Sequence, residues 1–271
     1  MTRTLITGAS AGLGLELARL FAAAGHDLVL TARRADRLEA LAATLSADFE
    51  VDVVCIPADL TLPEAAPDLV QLLTDRGLVV SVLVNNAGFG VYGPFPGRDW
   101  ATYGQLIDLN VTALARLTHA LLPGMQDMAK AGQFCGIMNV ASTAAFQPGP
   151  LMAMYFASKA FVLSFTEALH EELRGSGVRV SAFCPGPTRT GFFTTDSMIP
   201  QGTITEADLA AYQRRDAKRM EAGVAARIGY EGFLTGKAVV IPGRLNRVQA
   251  WWATRLPRGL VRRITHRLLT K

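Results

Sequence analysis

Tyr155 and Lys159 place a phenol and an ammonium four residues apart in the run Tyr155-Phe156-Ala157-Ser158-Lys159. On a helix that spacing sets both groups on one face. A phenol has a pKa near about 10 and stays protonated at neutral pH. A neighbouring cation favours the phenolate and lowers that pKa. The pair can therefore exchange a proton with a carbonyl/alcohol couple, and the expectation is a Tyr155 pKa drawn down by Lys159. A YxxxK spacing is common by chance, so its weight depends on what accompanies it.

A glycine-rich turn near the start of the chain supplies that company. Thr7-Gly8-Ala9-Ser10-Ala11-Gly12-Leu13-Gly14 joins a strand-like run to a helix-like one. Glycines permit a tight turn and close approach of backbone to phosphate. The helix start offers free N–H groups and a partial positive charge. The spacing is GxxxGxG rather than the commoner GxGxxG dinucleotide fingerprint. About 20 residues on, an acid would bind a ribose 2′-hydroxyl, whereas an arginine accommodates a 2′-phosphate. Here Arg33 and Arg34 stand at the end of the second strand-like run, with no acid before Asp36. NADP(H) is the expected cofactor, because guanidinium groups make charge-assisted bonds to phosphate.

The elements that must position these groups alternate between strand and helix. Strand-like runs cover Thr4–Thr7, Asp27–Ala32, Val51–Ile56, Val79–Val84, Phe134–Val140, Val178–Cys184 and Ala238–Ile241. Helical segments are predicted over Leu13–Ala24, Ala35–Ser46, Thr61–Arg76, Trp100–Met128 and Met152–Arg174. That alternation predicts an α/β fold: one doubly wound parallel sheet of about seven strands, with helices on both faces. The chain has 271 residues, 50% hydrophobic and 18% charged. A charged share below the roughly 25% of soluble domains suits a sheet covered on both sides. Residues 1–245 read as one domain and 246–271 as a tail. The rhythm breaks over 190–223, after a strand's carboxyl end, where ligands bind in such folds. That stretch is read as a substrate lid.

With these motifs in place, the chain resembles the short-chain dehydrogenase/reductase family, from about residue 2 to 190 and again near 240. Asp59-Leu60 resembles the family's adenine-contacting pair, and Asn85-Asn86-Ala87-Gly88 its NNAG motif along the cofactor cleft. Asn110 stands at the position of a structural and proton-relay asparagine. Ser142 precedes Tyr155 by 13 residues, and Pro185-Gly186-Pro187-Thr188 resembles the PG-x-T turn beside the nicotinamide. The resemblance implies a Rossmann-type fold and an oxidoreductase. Its catalytic set would be Asn110, Ser142, Tyr155 and Lys159. Gly8, Ser10, Gly12, Leu13, Gly14, Arg33, Arg34, Asp59, Leu60, Asn86, Ala87, Gly88, Tyr155, Lys159, Pro185, Gly186 and Thr188 would hold the cofactor. Hydride would pass between the nicotinamide and a carbonyl carbon, with Tyr155 as acid, Ser142 bonded to the substrate oxygen, and Asn110 holding a water that links Lys159 to solvent.

Substrate-bordering candidates are Phe89, Val91, Tyr92, Phe146, Leu151, Met152, Phe192, Phe193 and Met198. Their apolar character points to a hydrophobic ketone, aldehyde, acyl chain or alcohol as partner. Ala157, Ala160, Phe161, Ser164, Phe165 and Ala168 form a second face of the Tyr155 helix, and the resemblance suggests a homodimer or homotetramer built on it. No metal site is expected, because His119 and His170 lack a third ligand at suitable spacing; His26 and His266 read as surface residues. Cys55, Cys135 and Cys184 contain no CxxC and read as buried free thiols of a reducing, cytoplasmic compartment. No signal peptide and no membrane-spanning run is expected.

Charge is unevenly distributed. After Glu231 the chain carries nine basic residues and no acidic ones, leaving 18 basic against 23 acidic before it. Nothing on that body points to nucleic acid. The tail interleaves Trp251, Trp252, Leu256, Leu260, Val261, Ile264, Leu268 and Leu269 with arginines. Two readings stay open: a helix docked on the body or a neighbouring subunit, and a helix lying on an anionic membrane surface. For function as a whole, the rival to an enzyme is a dinucleotide-sensing binding protein without turnover.

Overall fold

The computed structural model describes residues 2–190, 192 and 219–269. Seven parallel strands form one sheet, and their ranges follow the expected alternation: β1 (Arg3–Thr7), β2 (Asp27–Thr31), β3 (Val53–Cys55), β4 (Val82–Asn85), β5 (Cys135–Val140), β6 (Val178–Phe183) and β9 (Val239–Val240). Their spatial order is β3-β2-β1-β4-β5-β6-β9. The chain winds outward from β1 to β3, then returns to place β4 against the other side of β1. That reversal opens a crevice at the carboxyl ends of β1 and β4, the usual ligand position in such sheets.

Successive side chains of a strand point to opposite faces, and here both faces are dry. Ile6, Leu28, Leu30, Val82, Val84, Met138, Val140 and Phe183 face one core. Leu5, Val29, Leu83, Ile137 and Val180, one position away, face the other. The first core is covered by α1 (Gly12–Ala23), α2 (Ala35–Phe49) and α7 (Ala222–Leu234). On the second lie α3 (Ala65–Asp75) and α5 (Leu114–Lys130). The long helix α6 (Ala153–Glu172) packs on β5 and β6.

Several boundaries differ from expectation for local reasons. The helix expected from Thr61 begins at Ala65, because Asp59 Oδ1 accepts from both the N–H and the hydroxyl of Thr61 and holds a turn there. Val79 is exposed, and β4 starts only at Val82, where β1 first offers a partner in Thr4. The stretch expected as continuous helix from Trp100 divides into α4 (Trp100–Ile107), a π-helical segment over Asp108–Ala113, and α5. Cys55 is half-buried rather than buried; all three cysteines are free. His26 is not a free surface group: its Nδ1 lies 2.8 Å from Thr4 Oγ1, and burial pushes its pKa down.

Most of the expected lid, residues 191 and 193–218, lies outside the described residues, as do Phe193 and Met198. Its two flanks are joined. β7 (Thr188–Arg189) and β8 (Met220–Glu221) pair in parallel, and Arg189 forms an ion pair with Glu221. The tail folds as α8 (Arg244–Arg255) and α9 (Arg258–Leu269). It docks on the body through Val261 and Leu269, two of the apolar tail residues, with Thr265 between them. Val261 and Thr265 are 4% and 2% exposed, while Leu260, Ile264 and Leu268 face outward with the arginines. Among the described residues no helix is long and apolar enough to cross a membrane.

Buried amides and hydroxyls tie the sheet to its helices. Asn85 Nδ2 donates to Thr118 Oγ1 at 3.1 Å and to Asn139 Oδ1 at 2.9 Å. Asn139 Nδ2 donates to Thr166 Oγ1 at 3.0 Å, so α5, β4, β5 and α6 share one polar chain. Removing its middle member leaves one N–H of the Asn85 amide without its acceptor. Asn139→Ala should cost about 1–3 kcal/mol of unfolding free energy, read from the midpoint of chemical denaturation.

Candidate active site

The glycine-rich loop leaves β1 directly over the crevice. Gly8 has φ +67°, and a Cβ there would lie 2.9 Å from the Cα of Ala87, so two loops meet backbone to backbone. Asn86 holds them together: its Nδ2 donates to the carbonyls of Thr7 and Gly8 at 2.9 and 3.1 Å. Thr7 Oγ1 in turn accepts from the N–H groups of Asn86 and Ala87. Leu13 and Gly14 begin α1, whose N-cap residue, Ala11, offers no side-chain acceptor to the first N–H groups. Gly12, at φ +58°, faces Thr190 with room for little more than its hydrogen. The Arg34 guanidinium reaches Ser10 Oγ at 3.2 Å, so a cation expected at the 2′-position stands on the glycine loop itself; Arg33 beside it is exposed.

A dinucleotide fits this set. The loop lacks side-chain bulk where a pyrophosphate would lie, its helix start is uncapped, and a guanidinium borders it. Asp59 remains half-exposed at the end of β3, though one carboxylate oxygen is engaged by Thr61. The side chain of Leu60 is buried in the core beneath α3. On the far side of the crevice Pro185 O accepts from Thr143 N–H at 2.9 Å, and Thr188 Oγ1 donates to Gly186 O at 2.8 Å. Gly186 is backed by Asn246 at the start of α8, a contact with no signal in the sequence.

The four expected catalytic side chains converge at the mouth of β5. Lys159 and Tyr155 are 5% and 9% exposed. Lys159 Nζ donates to Val140 O at 2.7 Å and lies 6.0 Å from the centre of the Tyr155 ring. Ser142 neighbours the Tyr155 phenol and favours its charged form. Ser142 Oγ also accepts from Ala144 N–H at 3.1 Å, which fixes its rotamer. Asn110 sits in the π-helical segment, where the widened turn aims it inward. Its Oδ1 accepts from Phe89 N–H, and its Nδ2 donates to Phe89 O and Ser158 Oγ. Ser158 Oγ donates to Tyr155 O at 2.7 Å, so Asn110 grips both the Gly88–Phe89 segment and the turn carrying Tyr155. Ser158 belongs to the expected motif, but nothing in its spacing announced this link.

The expected electrostatics are reversed. Burial pushes the Tyr155 phenol up to about 12, and the neighbouring Ser142 hydroxyl offsets only part of that. Burial also draws the Lys159 ammonium down to about 8. Desolvation outweighs the neighbours that favour each charged form, Ser142 for the phenol and Cys184 for the ammonium. The phenol is thus held protonated at neutral pH, the state a proton donor requires.

Apolar side chains surround the phenol. Val91, Tyr103, Leu106, Ala144, Met152, Tyr155 and Phe156 form one cluster, joined by Phe89, Tyr92, Met154, Phe192 and Leu269. Phe192 stacks at a tilt on Tyr155, with ring centres 5.4 Å apart. Tyr103, Leu106 and Leu269 were not anticipated. Phe146 was expected here but packs instead beside Leu114, Val162 and Cys184. Leu151 closes the turn to Gly93 at φ +64°.

An uncapped glycine turn at a sheet reversal, facing a buried phenol and ammonium, defines an oxidoreductase of the doubly wound α/β class. Residues 2–198 match the family model for short chain dehydrogenases. The chain is 41% identical over 258 residues to a sulfoacetaldehyde reductase of Chromohalobacter salexigens, covering 92% of this chain and 95% of that one. It is 32% identical over 256 residues to the very-long-chain 3-oxoacyl-CoA reductase of Rattus norvegicus, covering 92% and 75%. Among solved structures, a short-chain dehydrogenase from Sphingobium yanoikuyae in complex with NADPH superposes with TM-score 0.76 at 34% identity, covering 96% and 95%. The chain belongs to the short-chain dehydrogenase/reductase family.

The lowered Lys159 pKa has a consequence for stability. With a folded value of about 8 against an ordinary 10.5, the unfolded chain binds more protons at this position between those limits. Stability therefore rises with pH across that window and is lost as pH falls back through about 8. Lys159→Met should remove the rise, narrowing the stability gap between wild type and variant at neutral pH relative to pH 10.5 by on the order of 3 kcal/mol. Denaturant unfolding of both proteins at the two pH values checks it.

Proposed function

We propose that the chain is an NADPH-dependent carbonyl reductase acting on an apolar ketone or aldehyde, with 3-oxoacyl and steroid-like carbonyls as the classes suited to its lining. The observation that carries the reading is a protonated phenol, next to Ser142 and embedded among Phe89, Val91, Met152, Phe156 and Phe192. Apolar linings with a few convergent polar groups bind apolar ligands and orient them. The Arg34–Ser10 contact supports NADPH over NADH, as does the NADPH complex of the Sphingobium yanoikuyae relative.

Gly8, Ser10, Gly12, Leu13 and Gly14 would receive the pyrophosphate, Arg33 and Arg34 the 2′-phosphate, and Asp59 with the Leu60 backbone the adenine. Asn86, Ala87, Gly88, Pro185, Gly186 and Thr188 would line the nicotinamide side, with Lys159 at its ribose. When bound, the cofactor supplies the hydride. Tyr155 gives its proton to the substrate oxygen as negative charge develops there. An alkoxide is a much stronger base than a phenolate, so the transfer runs downhill even from a phenol of pKa about 12. Ser142 donates a hydrogen bond to the same oxygen. Lys159, fixed on Val140 O, places positive charge behind the phenolate that remains. Asn110 positions the Tyr155 turn and leaves one lone pair of Oδ1 for a water. Residues 190–223 would cover the substrate.

A second reading has its own support: the likeness to a sulfoacetaldehyde reductase along nearly the whole chain favours a small anionic aldehyde. A panel of sulfoacetaldehyde, medium-chain ketones and aldehydes, 3-oxoacyl thioesters and steroids decides between them. The highest kcat/KM on sulfoacetaldehyde would displace the apolar reading. A second copy of the chain is the proposed partner of the α6 face, where Ala157, Phe161, Ser164 and Ala168 are exposed; light scattering at the monomer mass would remove that partner.

On the preferred substrate, kcat/KM with NADPH should exceed that with NADH by about tenfold to a hundredfold, the worth of a charge-assisted bond. A preference for NADH would overturn the cofactor assignment. Tyr155→Phe should lower kcat by about 10²- to 10⁴-fold, with NADPH affinity by fluorescence titration nearly unchanged. Turnover near the wild-type rate would remove Tyr155 from its role.

A further inference from the structure

The tail does more than cover the body. From β9 the chain enters α8, which packs against the turn carrying Thr143–Phe146 and backs Gly186 through Asn246. After Pro257 it turns into α9, whose inward stripe is Val261, Thr265 and Leu269, spaced i, i+4 and i+8. Thr265 can serve as an inward residue because its hydroxyl donates to Val261 O at 2.9 Å, so no polar group is left without a partner. The stripe ends on the site. Leu269 packs into the cluster that holds Tyr155, Met152 and Val91.

A hydrogen bond fixes that end. The last turn of a helix leaves carbonyls without intrahelical partners. Tyr92 Oη donates to one of them, Leu269 O, at 2.8 Å, across 177 positions of sequence. Tyr92 lies in the segment leading from Gly88 and Phe89, and its own carbonyl accepts from Arg98 at 3.4 Å. The phenol of Tyr92 thus caps α9 and ties its end to the segment that borders the substrate.

We propose that α9 forms one wall of the substrate pocket within the same chain, and that Leu269, pinned by Tyr92, limits the length of apolar chain accepted beside the reacting carbonyl. The proposal rests on the carbonyl-reductase reading above. It names a specificity-determining residue far outside the segment expected to act as a lid.

The test is a chain-length series of methyl ketones, with NADPH as reductant. For the wild type, kcat/KM should rise about fourfold for each methylene that fits, the worth of one buried methylene, and then level off. Leu269→Ala should move the plateau to longer ketones, and Leu269→Trp to shorter ones. Tyr92→Phe, which keeps the ring but frees the helix end, should act in the direction of Leu269→Ala. The KM for NADPH should not change in any of them, and a cooperative thermal transition in each variant establishes that it is folded. Folded variants whose plateau matches that of the wild type would overturn the proposal while leaving the reductase reading intact. A wild type that reduces no ketone of the series would overturn that reading, and this inference with it.

Discussion

Lys159 keeps an ammonium almost out of water, and its hydrogen bond to Val140 O is the fixed point of the site. Burial of a cation is tolerated only where it finds strong partners. The carbonyl at the end of β5 is one such partner, and it locks α6 in rotation and height against the sheet. Tyr155, one turn earlier on the same helix, then has a set depth. Ser142, two residues beyond Val140, then has a set distance from the phenol. The loops that would receive the dinucleotide meet the same centre, because a Cβ on Gly88 would lie 3.0 Å from Asn110 Oδ1 and 3.4 Å from Lys159 Nζ.

Burial also sets the protonation state of the site. A phenol raised to about 12 holds its proton throughout the neutral range. Proximity of charge alone would have suggested the opposite. The difference is desolvation, which grows as water is excluded and is not encoded in the spacing of two residues.

Much of the architecture was legible in the sequence, because a sheet buried on both faces leaves long apolar runs punctuated by glycine turns. The motif residues were legible for a related reason: Gly8, Asn86 and Tyr155 meet requirements that few residue types satisfy. What escaped notice depends on partners remote in sequence. An apolar run could not reveal that β4 waits for Thr4 before pairing at Val82. A π-helical segment has no compositional mark, so the widening at Asn110 was invisible. In the tail, hydropathy marks Leu260, Val261, Ile264, Leu268 and Leu269 alike. The docked stripe instead passes through Thr265, whose hydroxyl is satisfied within its own helix.

The short parallel pairing of β7 with β8 joins two stretches of chain some thirty positions apart. Thr188–Arg189 and Met220–Glu221 act as a clasp on the scaffold side of residues 190–219, holding the exit and re-entry points of the chain together. Just past the first strand of the clasp, Thr190 stands against Gly12 of the glycine loop and Phe192 lies on the Tyr155 ring, so the pairing also passes order from the sheet's flank into the site.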